Sequence, residues 1–130
     1  MIAIDTNLLL RYILRDDKAQ FITAQALMSD QGWWISHTVL LEAEWVLRSA
    51  YGFEPDAIAT VVENLLMGAA IAWQDEGVVE RAIALYKSKR MDFADVLHAV
   101  QTPKEIKFAT FDKRFAKSMK DSKRPVVVAY

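Results

Sequence analysis

Cysteine is absent from the 130 residues. That excludes a disulfide framework, a thiolate metal site and a thiol nucleophile, and it suits a reducing cytoplasm. Glycine and proline are scarce, at four and three residues, and no Pro/Gly/Ser-rich linker divides the chain. Nothing repeats and no segment is of low complexity. No apolar run approaches the ~18 residues of a membrane span. The first apolar segment, "MIAI", lacks a basic leader and a long apolar region, so no export signal is expected. Residues 1–130 read as a single domain with one core, at 53% hydrophobic and 25% charged residues.

A strong charge of either sign is also missing. The net charge is −1, which on average argues against a nucleic-acid binder. The average hides a skew: from Lys104 to Arg124 eight Lys or Arg stand against three acids. Such a stretch is either a solvated helix and tail or a patch that holds phosphates. Charge alone does not choose.

What is present is an alternation. Short apolar runs suited to buried strands occur at 1–5, 33–36, 70–73, 107–111 and 126–130, with stretches of helical period between most of them. Asp17 with Gln20 resembles a capping box for a helix through Met28. Pro55 and Gly68 bracket an apolar stripe of Ile58, Val61, Val62, Leu65 and Leu66. Val78, Val79, Ala82, Ile83 and Tyr86 make a second stripe. Strands alternating with helices predict an α/β fold with a parallel sheet covered on both faces. Ligands of such sheets gather beyond the carboxyl ends of the strands. Asp5 and Asp112 stand at two of those ends, where each also suits the cap of the next helix.

Two helical projections add more acids. On the helix containing "TVLLEAEWVLRSA", Val39, Leu40, Ala43, Val46 and Leu47 form the main apolar face. Glu42 and Glu44 flank that face on opposite edges, and projection does not choose between them. Leu41 and Trp45 lie on the far side, so this helix is apolar on two faces and calls for cover by the fold or by a partner. Over 92–101, Phe93, Val96, Leu97 and Val100 share the core face, and Asp92, Asp95 and His98 form the opposite stripe. Asp92 suits an N-cap, which leaves Asp95 unexplained because one cap is enough. The helix should end early, before "TPKE". His98 is assigned packing rather than acid–base work, and the tryptophans at 33, 34, 45 and 73 are expected in the core or at an interface.

Four blocks, "IDTNLLLRYILRDD", "LLEAEWVLRSAYG", "DFADVLHA" and "TFDKRF", together resemble the signature blocks of PIN-domain nucleases, and most resemble the VapC-type toxins of bacterial toxin–antitoxin pairs. The blocks run from residue 4 to 115 in the family order. The resemblance implies a Rossmann-like three-layer sandwich with a mostly parallel central sheet, whose acidic cluster binds Mg²⁺ or Mn²⁺ and cuts RNA. Its four acids fall on Asp5, Glu42, Asp95 and Asp112, with Asn7 and Thr110 as accompanying polar residues. Asp92 has family precedent but is read here as a cap or a supporting residue. The resemblance further implies a cognate antitoxin and a homodimer, and the face with Leu41 and Trp45 is the candidate contact.

The chemistry agrees with such a set. Two like charges about 4 Å apart repel by roughly 4 kcal/mol at an effective dielectric near 20. A carboxylate cluster therefore takes up protons or a divalent cation, and oxygen ligands favour Mg²⁺ or Mn²⁺ over Zn²⁺. Asp5 and Asp95 are expected as the principal ligands, with Glu42 and Asp112 completing the site. Either one cation activates water or two clamp an in-line displacement. Lys113, Arg114 and Lys117 are expected to neutralise substrate phosphates. Three other readings remain: an aspartyl-phosphate enzyme, a phosphoryl-receiver domain, and a non-catalytic module of PIN-like fold. The first wants an acid two residues after the first aspartate, where Asn7 stands. The second wants a lysine near the end of its last strand, and "VVVAY" has none.

Overall fold

The computed structural model describes residues 1–122 and 126–129. Lys123 and Arg124 of the basic stretch, and the last residue of the 126–130 strand segment, lie outside the described residues. The order is β1 (Ile2–Ala3), α1 (Thr6–Leu14), α2 (Lys18–Gln31), β2 (Trp33–Ile35), α3 (His37–Ser49), α4 (Pro55–Leu66), β3 (Ile71–Trp73), α5 (Glu76–Lys89), α6 (Phe93–Gln101), β4 (Phe108–Thr110), α7 (Lys113–Ser118) and β5 (Val126–Val128). Each apolar run expected as a strand contains one, and the strands are shorter than the runs. All pairings are parallel, as the alternation of elements predicts. No helix of the described residues is long and apolar enough to cross a membrane.

The sheet differs from expectation in two respects, the first being that β4 and β5, expected as buried strands, each expose their central residue and bury none. The second is that among the described residues the strands form two ladders, β1-β2-β3 and β4-β5, rather than one continuous sheet. β1 pairs through only two residues, Ile2 with Trp33 and Ala3 with Trp34, before the chain turns into α1 at Asp5.

Caps fix where the helices start. Asp5, Asp17, Ser36, Asp75, Asp92 and Asp112 each accept a hydrogen bond from the backbone N–H three residues on. Each such cap contributes about 1 kcal/mol and replaces a partner that the first helical turn lacks. Pro55 takes the first-turn position of α4 as expected. α6 stops at Gln101, ahead of Pro103. Two helices end on arginines with left-handed backbone, Arg15 and Arg90, where glycine is the usual choice.

The expected apolar stripes form the core. Trp33 and Ile35 of β2 are fully buried, and Val78, Val79, Ala82, Ile83 and Tyr86 turn inward from α5. Phe93, Val96, Leu97 and Val100 do the same from α6. α1 packs on α2 and α3, α5 on α4 and α6, and α3 on α6. Of the four tryptophans, Trp33 and Trp73 are buried, Trp34 is half-buried and Trp45 is 60% exposed. The α2–β2 corner depends on Gly32, whose φ is +75° and where a Cβ would meet the Ala70 carbonyl oxygen at 3.1 Å.

Candidate active site

α1, α6 and α7 each begin at an aspartate, and the caps account for only part of each carboxylate. Asp5 Oδ1 accepts from the Leu8 N–H at 2.8 Å, and Asp112 Oδ1 accepts from the Phe115 N–H at 2.9 Å. Among the described residues neither side chain makes a further hydrogen bond, and both residues are exposed. Capping and a role in ligation are therefore compatible, where the sequence had set them against each other.

The two glutamates of α3 part company. Glu44 is 3% exposed and accepts from the Tyr86 hydroxyl at 2.9 Å and from Arg48 Nε at 2.8 Å. Burial first, and the Glu44 carboxylate second, keep the Tyr86 phenol protonated well above its ordinary range. Glu44 is thus a satisfied core carboxylate. Glu42 is exposed and accepts from Thr6 Oγ1 at 3.0 Å, which ties it to the residue that follows Asp5. Thr6 escaped the sequence reading, although it stands inside "IDTN".

α6 brings the remaining acids together. Asp92 caps the helix through the Asp95 N–H at 3.2 Å. The Asp95 carboxylate itself is half-buried and makes no hydrogen bond among the described residues. Burial pushes it above the ordinary carboxylate range, the negative charges of Asp92 and Asp112 push it further, and His98 opposes them. Asp92, Asp95 and Asp112 thus share one electrostatic neighbourhood, with Asp5, Thr6 and Glu42 tied together at the start of α1. Among the described residues no three acidic or histidine side chains stand close enough together to hold a metal ion. The donors nevertheless suit one: all are carboxylates, and Asp95 carries the uncompensated negative environment that a divalent cation relieves.

The accompanying residues fall as follows. Thr110 Oγ1 accepts from the Asp112 N–H at 3.0 Å, which fixes the backbone that presents that acid. Asn7 is exposed and lines a cleft of about 370 Å³ with Asp5, Arg11, Gln20 and Thr23. Lys113, Arg114 and Lys117 are exposed on α7, directly after Asp112. His98, expected to pack, is instead exposed on the stripe of Asp95, because that stripe faces away from the core face of α6. On α3, Leu41 is half-buried against the core, so the exposed apolar face there is that of Trp45.

The fold is parallel α/β, with acids at the carboxyl ends of β1 and β4, where ligands of such sheets gather, and further acids on α3 and α6. The chain matches the model of the PIN domain over residues 2–119 and belongs to that family. PIN domains are generally nucleases and typically depend on divalent metal ions. No curated protein and no solved structure matches the chain.

Proposed function

We propose that residues 1–130 act as one PIN domain that cleaves RNA with Mg²⁺ or Mn²⁺, as a cytoplasmic VapC-type toxin held in check by a cognate antitoxin. The observation that carries this reading is Asp95. Its carboxylate is half-buried beside Asp92 and Asp112, and it makes no hydrogen bond among the described residues. Burying such a group without a partner costs free energy that a bound ligand returns.

Asp5 and Asp95 would hold the cation, with Glu42 and Asp112 completing its surroundings. When bound, the ion supplies activation of water and neutralisation of charge developing on the phosphate. The chain's own residues do the rest. Thr6 orients Glu42 through its hydroxyl, and Thr110 holds the backbone of Asp112. Asp92 holds the first turn of α6, on which Asp95 stands, by accepting from the Asp95 N–H. Lys113, Arg114 and Lys117 would neutralise phosphates beside the scissile one. Trp45, at 60% exposure, is the contact proposed for the antitoxin or for the second subunit of a homodimer.

Incubation of defined RNAs with Mg²⁺ or Mn²⁺, with and without EDTA, tests the reading. Cleavage should require the metal and be lost in Asp5→Asn. A folded Asp5→Asn protein that kept full metal-dependent cleavage would refute it. One second reading is a PIN-like module that binds RNA without cutting it, since among the described residues no three acidic or histidine side chains gather as a metal site. Binding in EDTA with no cleavage in either metal would select that reading.

A further inference from the structure

We propose that Phe111 is a stacking platform for a nucleobase of single-stranded RNA, and that the lysines of α7 carry the backbone of the same strand. The proposal rests on the nuclease reading and adds to it the path of the substrate.

Phe111 stands between Thr110 and Asp112 with 79% of its surface exposed, more than any other aromatic residue of the described chain. Its position is fixed on both sides. The Ala129 N–H donates to the Thr110 carbonyl oxygen at 2.7 Å. The Asp112 N–H donates to Thr110 Oγ1 across residue 111, and Asp112 accepts from Phe115. The ring therefore projects from a held backbone rather than from a loose loop.

Packing does not account for it. The neighbouring Phe108 of β4 is half-buried and meets Phe115 edge-on, with ring centroids 6.4 Å apart. Among the described residues no aromatic pair includes Phe111. A large apolar ring left in water, while nearby Phe108 is half-buried against Phe115, is available for a ligand face.

Its surroundings choose the ligand. On one side, a single residue away, is Asp112, one of the acids proposed to handle the scissile phosphate. On the other side runs α7, where Lys113 and Lys117 of the helix and Lys120 just beyond its end line a groove of about 490 Å³ with Val126 and Val128. An acid cluster alone repels a polyanion, and a row of lysines beside it brings the backbone back. An aromatic face next to a cationic track is the arrangement that holds single-stranded nucleic acid, because every base has a π-face that an unpaired strand can offer. The same logic makes this contact tolerant of base identity.

The test uses the full chain in EDTA and a short single-stranded RNA carrying a fluorescent adenine analogue at successive positions. The wild type should quench the analogue at one position. Phe111→Ala should abolish that quenching and weaken binding by about tenfold or more, and Phe111→Trp should restore both. Met67→Ala removes another highly exposed apolar side chain, ahead of β3, and should bind as the wild type does. Lys117→Gln should lower the salt dependence of binding by about one ion. Because the ring is exposed, the thermal midpoint should not move in Phe111→Ala. If Phe111→Ala binds RNA as tightly as the wild type while the wild type cleaves RNA, the platform is refuted and the nuclease reading stands. If it keeps RNA affinity but changes the mass of the protein in solution, the ring belongs to a protein contact and the proposal is overturned. A wild type that neither binds nor cuts RNA overturns both.

Discussion

Removing each glutamate of α3 in turn separates the two roles that helical projection could not. In Glu44→Ala the Tyr86 hydroxyl loses its acceptor inside the core. An unsatisfied buried hydroxyl costs about 1–3 kcal/mol, and the loss of the buried side-chain stem adds roughly another 1 kcal/mol. The ion pair with Arg48 adds little, because the arginine side chain is 40% exposed and screened by water. The sum, about 2–4 kcal/mol, lowers the thermal midpoint of a chain of this size by on the order of 10 °C. Glu42→Ala removes only an exposed hydrogen bond to Thr6, and should change stability by less than about 1 kcal/mol. Metal-dependent RNA cleavage, however, should fall by about a hundredfold or more in Glu42→Ala. Differential scanning calorimetry and RNA cleavage by each folded variant read out the two effects. A Glu44→Ala protein as stable as the wild type, or a Glu42→Ala protein with undiminished cleavage, would refute the division of labour.

Other perturbations follow from single residues. Burial holds the His37 imidazole below its ordinary value, with Asp75 pulling the other way. The unfolded chain then takes up the proton first as the pH falls below about 6.5. Stability should therefore decline through the window below that value, down to the depressed folded value. His37→Gln should flatten this decline in urea titrations at neutral and mildly acidic pH, and an unchanged slope would exclude His37 as its source. Gly32→Ala forces a side chain onto φ +75° against the Ala70 carbonyl. It should cost about 1–2 kcal/mol by chemical denaturation, and a neutral result would show that the α2–β2 corner relaxes. Trp45→Glu should weaken association with the antitoxin or with a second copy, measured as mass in solution. Unchanged assembly would remove Trp45 from the interface.

Much of the fold was legible because its signals are local. The strand runs, the caps at Asp5, Asp17, Asp92 and Asp112 and the inward stripes of α4, α5 and α6 depend on short-range period and side-chain chemistry, whereas the caps at Ser36 and Asp75 were not read from the sequence. What escaped needed long-range partners. Nothing in the spacing of Glu42 and Glu44 reveals that Tyr86, on another helix, supplies a buried hydroxyl to one while Thr6 approaches the other. The division of the strands into two ladders needed long-range pairing, and apolar runs overstate strand length. Arg15 and Arg90 in left-handed backbone broke the rule that helices end on glycine. In the candidate site the caps at Asp5, Asp92 and Asp112 were legible in the sequence. The exposure of Phe111 was not, because period alone would have placed an aromatic beside β4 in the core.

The central claim is that Asp95 and its neighbours hold a divalent cation. Calorimetric titration of the wild type and of Asp95→Asn with Mn²⁺ tests it without knowledge of the RNA target. The account predicts saturable binding by the wild type that is lost in a folded Asp95→Asn protein. Equal Mn²⁺ affinity in the two would contradict it.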